Sequence, residues 1–179
     1  MRTVDYNSQK RLPGFTIIEL MITIVILGVL VTLAIPSFND LIVSTRIKGA
    51  ASDIYAALTV ARSEAIKRNI NVTVGPLTAG GQWVNGWQVT AVIGGTQTVL
   101  ATHGVLSNLT VECPGGTACT QTFTYARNGR LTAGTLTMNV DVASPPTPRR
   151  VPMRCVNVDL SGRVNVTADN NRDGNCANG

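Results

Sequence analysis

One histidine, His103, serves a chain of 179 residues, and only 14% of those residues are charged. The usual catalytic frames are therefore missing. A lone histidine with no flanking pattern does not frame a serine or cysteine nucleophile, and no glycine-rich loop opens a helix to cradle phosphate. The chain reads as a non-enzyme that needs no cofactor. Its formal charge of +5 makes it mildly basic, too little by itself to indicate nucleic acid. No internal repeat is visible. The proline-rich stretch 143–149 (ASPPTPR) is short enough to be a loop and not a domain linker. The length suits one domain plus an anchor.

The four cysteines, Cys113, Cys119, Cys155 and Cys176, all lie in the distal part of the chain. An even, clustered count points to two disulfides in an oxidising compartment. Three pairings are open; the sequence-local one, Cys113 with Cys119 and Cys155 with Cys176, is the simplest. Zinc is the rival reading. It is weakened by the wide Cys113–Cys119 spacing and by the shortage of histidine.

Most of the apolar content sits in one block. Residues 15–35, FTIIELMITIVILGVLVTLAI, would span about 31 Å as a helix, close to the hydrocarbon thickness of a bilayer. A cleaved secretory signal would have a shorter apolar core followed by small residues. Here the small residue, Gly14, precedes the block. Lys10 and Arg11 also precede it, which leaves the amino terminus cytoplasmic and the distal cysteines outside. Glu19 is out of place in this block. A carboxylate costs about 2.5–3.5 kcal/mol near the centre of a membrane helix and less near an end. Glu19 either reaches the interface or has a partner, and an amine freed by cleavage before Phe15 would serve.

Pro13-Gly14-Phe15-Thr16-Ile17-Ile18-Glu19-Leu20 resembles the leader junction of type IV pilins and type II secretion pseudopilins. The resemblance implies that residues 1–14 are a leader, and that a prepilin peptidase cuts between Gly14 and Phe15 and methylates the new amine. It also implies that Glu19 pairs with the terminal amine of a neighbouring subunit during filament assembly. Pro36 matches the proline that often kinks the long helix of this family.

From 38 to 68 the only Gly or Pro is Gly49, and Ile47, Ala50, Ala51, Ile54, Leu58, Ala61 and Ala65 recur at helical spacing. The pattern predicts a helix whose narrow stripe of small residues lets a sheet approach closely. Arg46, Lys48, Asp53, Arg62, Glu64, Lys67 and Arg68 fall mostly off the stripe, on a solvated face. Beyond 68 the period becomes two. Ile70, Val72 and Val74 alternate, then Trp87, Val89 and Ala91. Further strands are expected at 98–101, 109–112, 122–125, 136–142, 151–159 and 163–167. Trp83 and Trp87 flank Asn85-Gly86, which predicts a hairpin with one core tryptophan. His103 is expected in a turn. The fold class is α+β: a long amino-terminal helix packed on an antiparallel β head. The organisation is 1–14 leader, 15–35 transmembrane helix, 36–68 periplasmic continuation and 69–179 head.

The helix end, Leu58-Thr59-Val60-Ala61-Arg62-Ser63-Glu64-Ala65-Ile66, resembles that of the minor-pilin subgroup that includes FimT, FimU and GspH. Two further pieces are similar to that subgroup: the strand and turn from Phe123 to Gly129-Arg130, and the closing hairpin from Cys155 to Gly162-Arg163. The resemblance implies a structural subunit of a type II secretion pseudopilus or a type IV pilus, acting in assembly initiation or the tip complex. Its partners would be other pilins or pseudopilins, the prepilin peptidase and an inner-membrane assembly platform. It would be a single-pass protein of a bacterial inner membrane with a periplasmic head, which then enters the filament.

The alternative is DNA capture for natural transformation. From Thr120 onward the arginines are Arg127, Arg130, Arg149, Arg150, Arg154, Arg163 and Arg172, against four aspartates. Arginine binds phosphate bidentately. The FimT-like tail motif is Gly-Arg-x-Arg, whereas Gly162-Arg163-Val164-Asn165 lacks the second arginine. Near the carboxyl terminus, Asp169, Asn171, Asp173 and Gly174 fit the first half of a calcium loop, D-x-N-x-D-G. A polar turn is the plainer reading there, and no metal is expected.

Overall fold

The computed structural model describes residues 14–176, with the side chains of 33–36 outside that description. Most of the expected leader, residues 1–13, therefore lies outside the described residues, as does the side chain of Pro36. The chain divides into two compact units, Met1–Asn39 and Asp40–Gly179.

Helix α1, Ile17–Arg68, is the longest element at 52 residues. In the first unit its described side chains are exposed and almost wholly apolar. The helix is long and apolar enough to cross a membrane. Two threonines there turn back on the backbone. The hydroxyls of Thr23 and Thr32 donate to the carbonyls of Leu20 and Val29 at 2.8 and 2.7 Å. Both hydroxyls are thus satisfied within the helix, as an apolar solvent requires.

The second unit begins within α1. All seven expected stripe residues, Ile47, Ala50, Ala51, Ile54, Leu58, Ala61 and Ala65, are at most 3% exposed. They share one hydrophobic cluster with residues of two antiparallel sheets. The first sheet contains β1 (Val72–Pro76), β2 (Trp87–Ile93), β3 (Thr96–His103) and β6 (Phe123–Tyr125), in the order β3-β2-β1-β6. The second contains β4 (Leu109–Cys113), β5 (Thr117–Ala118), β7 (Leu136–Val142), β8 (Arg154–Val158) and β9 (Val164–Ala168), in the order β5-β4-β7-β8-β9. Alternation explains the second sheet. Leu109 and Val111 on β4, and Leu136, Met138 and Val140 on β7, point inward, while Thr110, Glu112, Thr137 and Asn139 are only half-buried. The β2–β3 connection is the two-residue turn Gly94-Gly95, with φ of 59° and 84°. Positive φ at both positions matches the twist of a tight hairpin and suits glycine.

The head differs from the sequence expectation in three places. The short strand β5 was not foreseen; it forms inside the Cys113–Cys119 loop, where Cys113 pairs with Thr117. Asn85-Gly86 is not a hairpin turn with one core tryptophan. Trp83–Asn85 forms a 3-10 turn, and both Trp83 and Trp87 are at most 1% exposed. Their rings stack with centroids 5.7 Å apart. Burial is tolerated because the Trp83 indole N–H donates to the carbonyl of Gln121 at 2.8 Å. Finally, His103 is not in a turn: it closes β3 opposite Trp87. Its ring lies flat on Trp87, with centroids 4.0 Å apart. Nε2 meets Asp53 Oδ2 on α1 at 3.2 Å.

Candidate functional site

The amino-terminal motif opens α1. Thr16 is the last residue before the helix, and its hydroxyl accepts the backbone N–H of Glu19 at 3.2 Å. Thr-x-x-Glu is the spacing of a capping box, which satisfies a helix-end donor with a side chain. Sequence reasoning missed this role, although the spacing alone signals it. Glu19 also sits in the first turn, where the helix dipole favours a negative charge. Gly14, Phe15 and Glu19 are all exposed, Phe15 to 83%. The junction is thus an accessible, apolar, capped helix start.

At the other end of α1 two turns meet. The turn after β6 holds Arg127, Gly129 and Arg130; the β8–β9 turn holds Asp159, Ser161, Gly162 and Arg163. Gly129 and Gly162 have φ of 76° and 79°, conformations that side chains disfavour. A Cβ on Gly162 would lie 2.0 Å from the carbonyl oxygen of Gly129, and one on Gly129 would lie 2.6 Å from Ile66 Cδ1. Arg62 of α1 completes the junction by donating to the carbonyl of Ser161 at 3.1 Å. Arg62 is thus half-buried and structural, not part of a freely solvated face. In the second turn, Asp159 Oδ1 accepts the Ser161 hydroxyl at 2.5 Å and the Arg163 backbone N–H at 3.1 Å. These bonds, the Ser161 hydroxyl foremost, hold the Asp159 carboxyl below its ordinary range.

The junction brings the turns of Arg127, Arg130 and Arg163 together, and all three side chains are exposed. The other arginines lie elsewhere. Arg149 forms an ion pair with Asp141 on β7. Arg150 is exposed in the loop before β8. Arg154 on β8 is half-buried and lines a cleft with Lys48 and Tyr55 of α1. Arg172 is exposed in the tail loop. All four cysteines are bonded: Cys113 to Cys119, and Cys155 to Cys176. The first bond closes a six-residue separation; the second ties the tail back to β8 across 21.

The family model described as type II transport protein GspH matches residues 50–176, which include both glycine turns and all four cysteines. The chain belongs to the GspH family.

A second model, the prokaryotic N-terminal methylation motif, matches residues 12–35 and so contains Gly14, Phe15 and Glu19. Together the two matches cover a motif-bearing apolar helix and a disulfide-bonded head. This combination supports membrane anchoring through the amino-terminal helix.

Solved structures share the fold. The type IV minor pilin FimU of Pseudomonas aeruginosa aligns with a TM-score of 0.56 at 19% identity, covering 70% of this chain and 94% of that one. The minor pseudopilin EpsH of the Vibrio cholerae type 2 secretion system aligns with a TM-score of 0.53 at 13% identity, covering 69% and 97%. Among curated proteins, the fimbrial protein EcpC of Eikenella corrodens is 28% identical over 154 residues, 80% of this chain and 90% of the relative. A Pseudomonas aeruginosa fimbrial protein is 40% identical over 58 residues, so the match spans only 38% of that relative's length.

Proposed function

We propose that this GspH-family chain is a minor pilin or pseudopilin, a structural subunit of a type II secretion pseudopilus or a type IV pilus. The observation that carries this reading is the joining of two parts in one chain. A methylation-motif helix start, with Gly14, Phe15 and Glu19 exposed, continues through α1 into a GspH-type head. A prepilin peptidase cuts between Gly14 and Phe15 and methylates the new amine. Before assembly the helix anchors the chain in a bacterial inner membrane. Lys10 and Arg11 hold the amino terminus on the cytoplasmic side, and the disulfide-bonded head lies in the periplasm.

Glu19 then acts as the register residue. Two ions that are costly to hold separately in an apolar medium lower that cost by pairing. Glu19 therefore favours the position in which its carboxylate meets the terminal amine of a neighbouring subunit. Pro36 is the position at which the long helix kinks. The head meets other subunits in the initiation or tip complex. DNA capture is not favoured: Arg149 pairs with Asp141, Arg154 lies beside α1, and Asn165 stands where the tail motif needs an arginine.

The test is incorporation. Full-length wild-type and Glu19→Ala chains are expressed with the partner machinery, and sheared filaments are probed for the head. The reading expects both chains to be processed and only the wild type to enter filaments in normal amount. Equal incorporation of the two would remove Glu19 from assembly, and absence of the wild type from every filament fraction would remove the structural role.

A further inference from the structure

The tail loop after β9 is folded around a buried carboxylate. Asp169 is 0% exposed. Its Oδ2 accepts the backbone N–H of Gly174 at 2.9 Å, so the loop closes back on the carboxylate. Its Oδ1 is buried and has no hydrogen-bond partner. A buried carboxylate oxygen that no protein group meets is costly, and a bound cation removes that cost. Arginine does not fill that role. Arg149 packs against Gly174, yet its ion pair is with Asp141.

We propose that the loop from Asp169 to Asn175 is a calcium site. Its oxygen donors would be the side chains of Asp169, Asn171 and Asp173 and the main-chain carbonyl of Asn175. These are positions one, three, five and seven of a D-x-N-x-D-G loop, the alternation by which a short segment surrounds a hard cation. The backbone already has the required path. Gly174, at position six, has φ of 83° and makes the sharp turn, and Arg172 has φ of 58°. Asp173 accepts from Asn171 Nδ2 at 2.9 Å and from the Asn175 backbone N–H at 2.7 Å, which ties three of the four donor residues to one another. The next residue, Cys176, is bonded to Cys155, so β8 anchors the loop end.

The donor set also selects the ion. Two carboxylates supplemented by an amide and a carbonyl are all hard oxygens, which suit calcium better than zinc. The loop supplies few charges, so its affinity belongs with extracellular calcium modules, with Kd on the order of 0.1–1 mM. That range suits a head outside the cytoplasm.

The experiment uses the full mature chain in detergent, with disulfides intact and stripped of metal by EDTA. Calcium binding is measured by equilibrium dialysis, and thermal unfolding is followed with added CaCl2 or MgCl2. The expected result is saturable binding of one calcium per chain, a rise in Tm over the same concentrations, and little effect of magnesium. Asp169→Asn and Asp173→Asn should each weaken binding by about tenfold or more, since each removes one of two ligand charges. Asp173 is exposed, so its variant decides the matter even where Asp169→Asn fails to fold. No saturable binding to the wild type up to roughly ten times the expected Kd, or unchanged affinity in Asp173→Asn, overturns the proposal.

Discussion

Gly162 sits directly against Gly129: a Cβ on the former would come within 2.0 Å of the latter's carbonyl oxygen. The turn of one sheet is thereby locked to the turn of the other, beneath the end of α1. Gly162→Ala should be severely destabilising, by about 3 kcal/mol or more, because left-handed strain adds to a clash with fixed backbone. Gly129→Ala should cost less, roughly 1–2 kcal/mol, because its Cβ meets the movable end of Ile66. Gly115→Ala, with φ of 97° but nothing within 4 Å, isolates strain from clash. Urea unfolding of the three variants should rank them in that order.

The same junction buries Tyr125, whose ring lies 3.0 Å from a Cβ placed on Gly162 and whose hydroxyl has no partner. Burial pushes its phenol up to about 12 from an ordinary value of 10.0. A raised folded-state value stabilises the fold below the unfolded value and is lost as pH rises through the folded one. Stability should therefore fall between about pH 10 and 12. Tyr125→Phe should flatten that loss and leave stability at neutral pH unchanged or improved, since it deletes a buried unsatisfied hydroxyl. Thermal melts against pH for the two chains check this. Parallel alkaline profiles would contradict it.

Close approach of α1 to the sheets depends on its small residues. Ala61 is 0% exposed, so Ala61→Leu should overpack the core and cost about 1–3 kcal/mol. Leu58→Ala, also at a 0% exposed position, should cost about 2–5 kcal/mol through the cavity it leaves. Adding the same bulk at exposed Ser63 should change stability by less than about 0.5 kcal/mol. Calorimetry of the three chains gives the comparison.

The two disulfides should differ in weight. A longer closed loop restricts the unfolded chain more, so removing Cys155–Cys176 should cost about 3 kcal/mol. Removing Cys113–Cys119, with a separation of 6, should cost less. Paired Cys→Ser variants, unfolded in urea, test the order.

The readable parts of the fold are those governed by local period. The seven-residue stripe on α1 is legible because helical spacing alone selects the buried face, and β4 and β7 because alternation selects theirs. Asn85-Gly86 misleads because its local chemistry suits a hairpin, while the pull on Trp83 comes from Cys119 and Gln121, more than 30 residues away. His103 is similarly placed by Trp87 and by Asp53 on α1. The Gly129 and Gly162 turns are each visible in the sequence as Gly-Arg pairs. Their contact is not, since it arises from two strands in different sheets. Thr16 is legible as well, because the Thr-x-x-Glu spacing marks a cap as well as an assembly motif.

The most direct test of the whole account is intact mass analysis of the mature protein from a host with a prepilin peptidase. The account predicts a chain beginning at Phe15 and heavier by one methyl group, with the uncut precursor accumulating when the peptidase is absent. A mature chain that starts at any other residue, or that is the same with and without the peptidase, contradicts it.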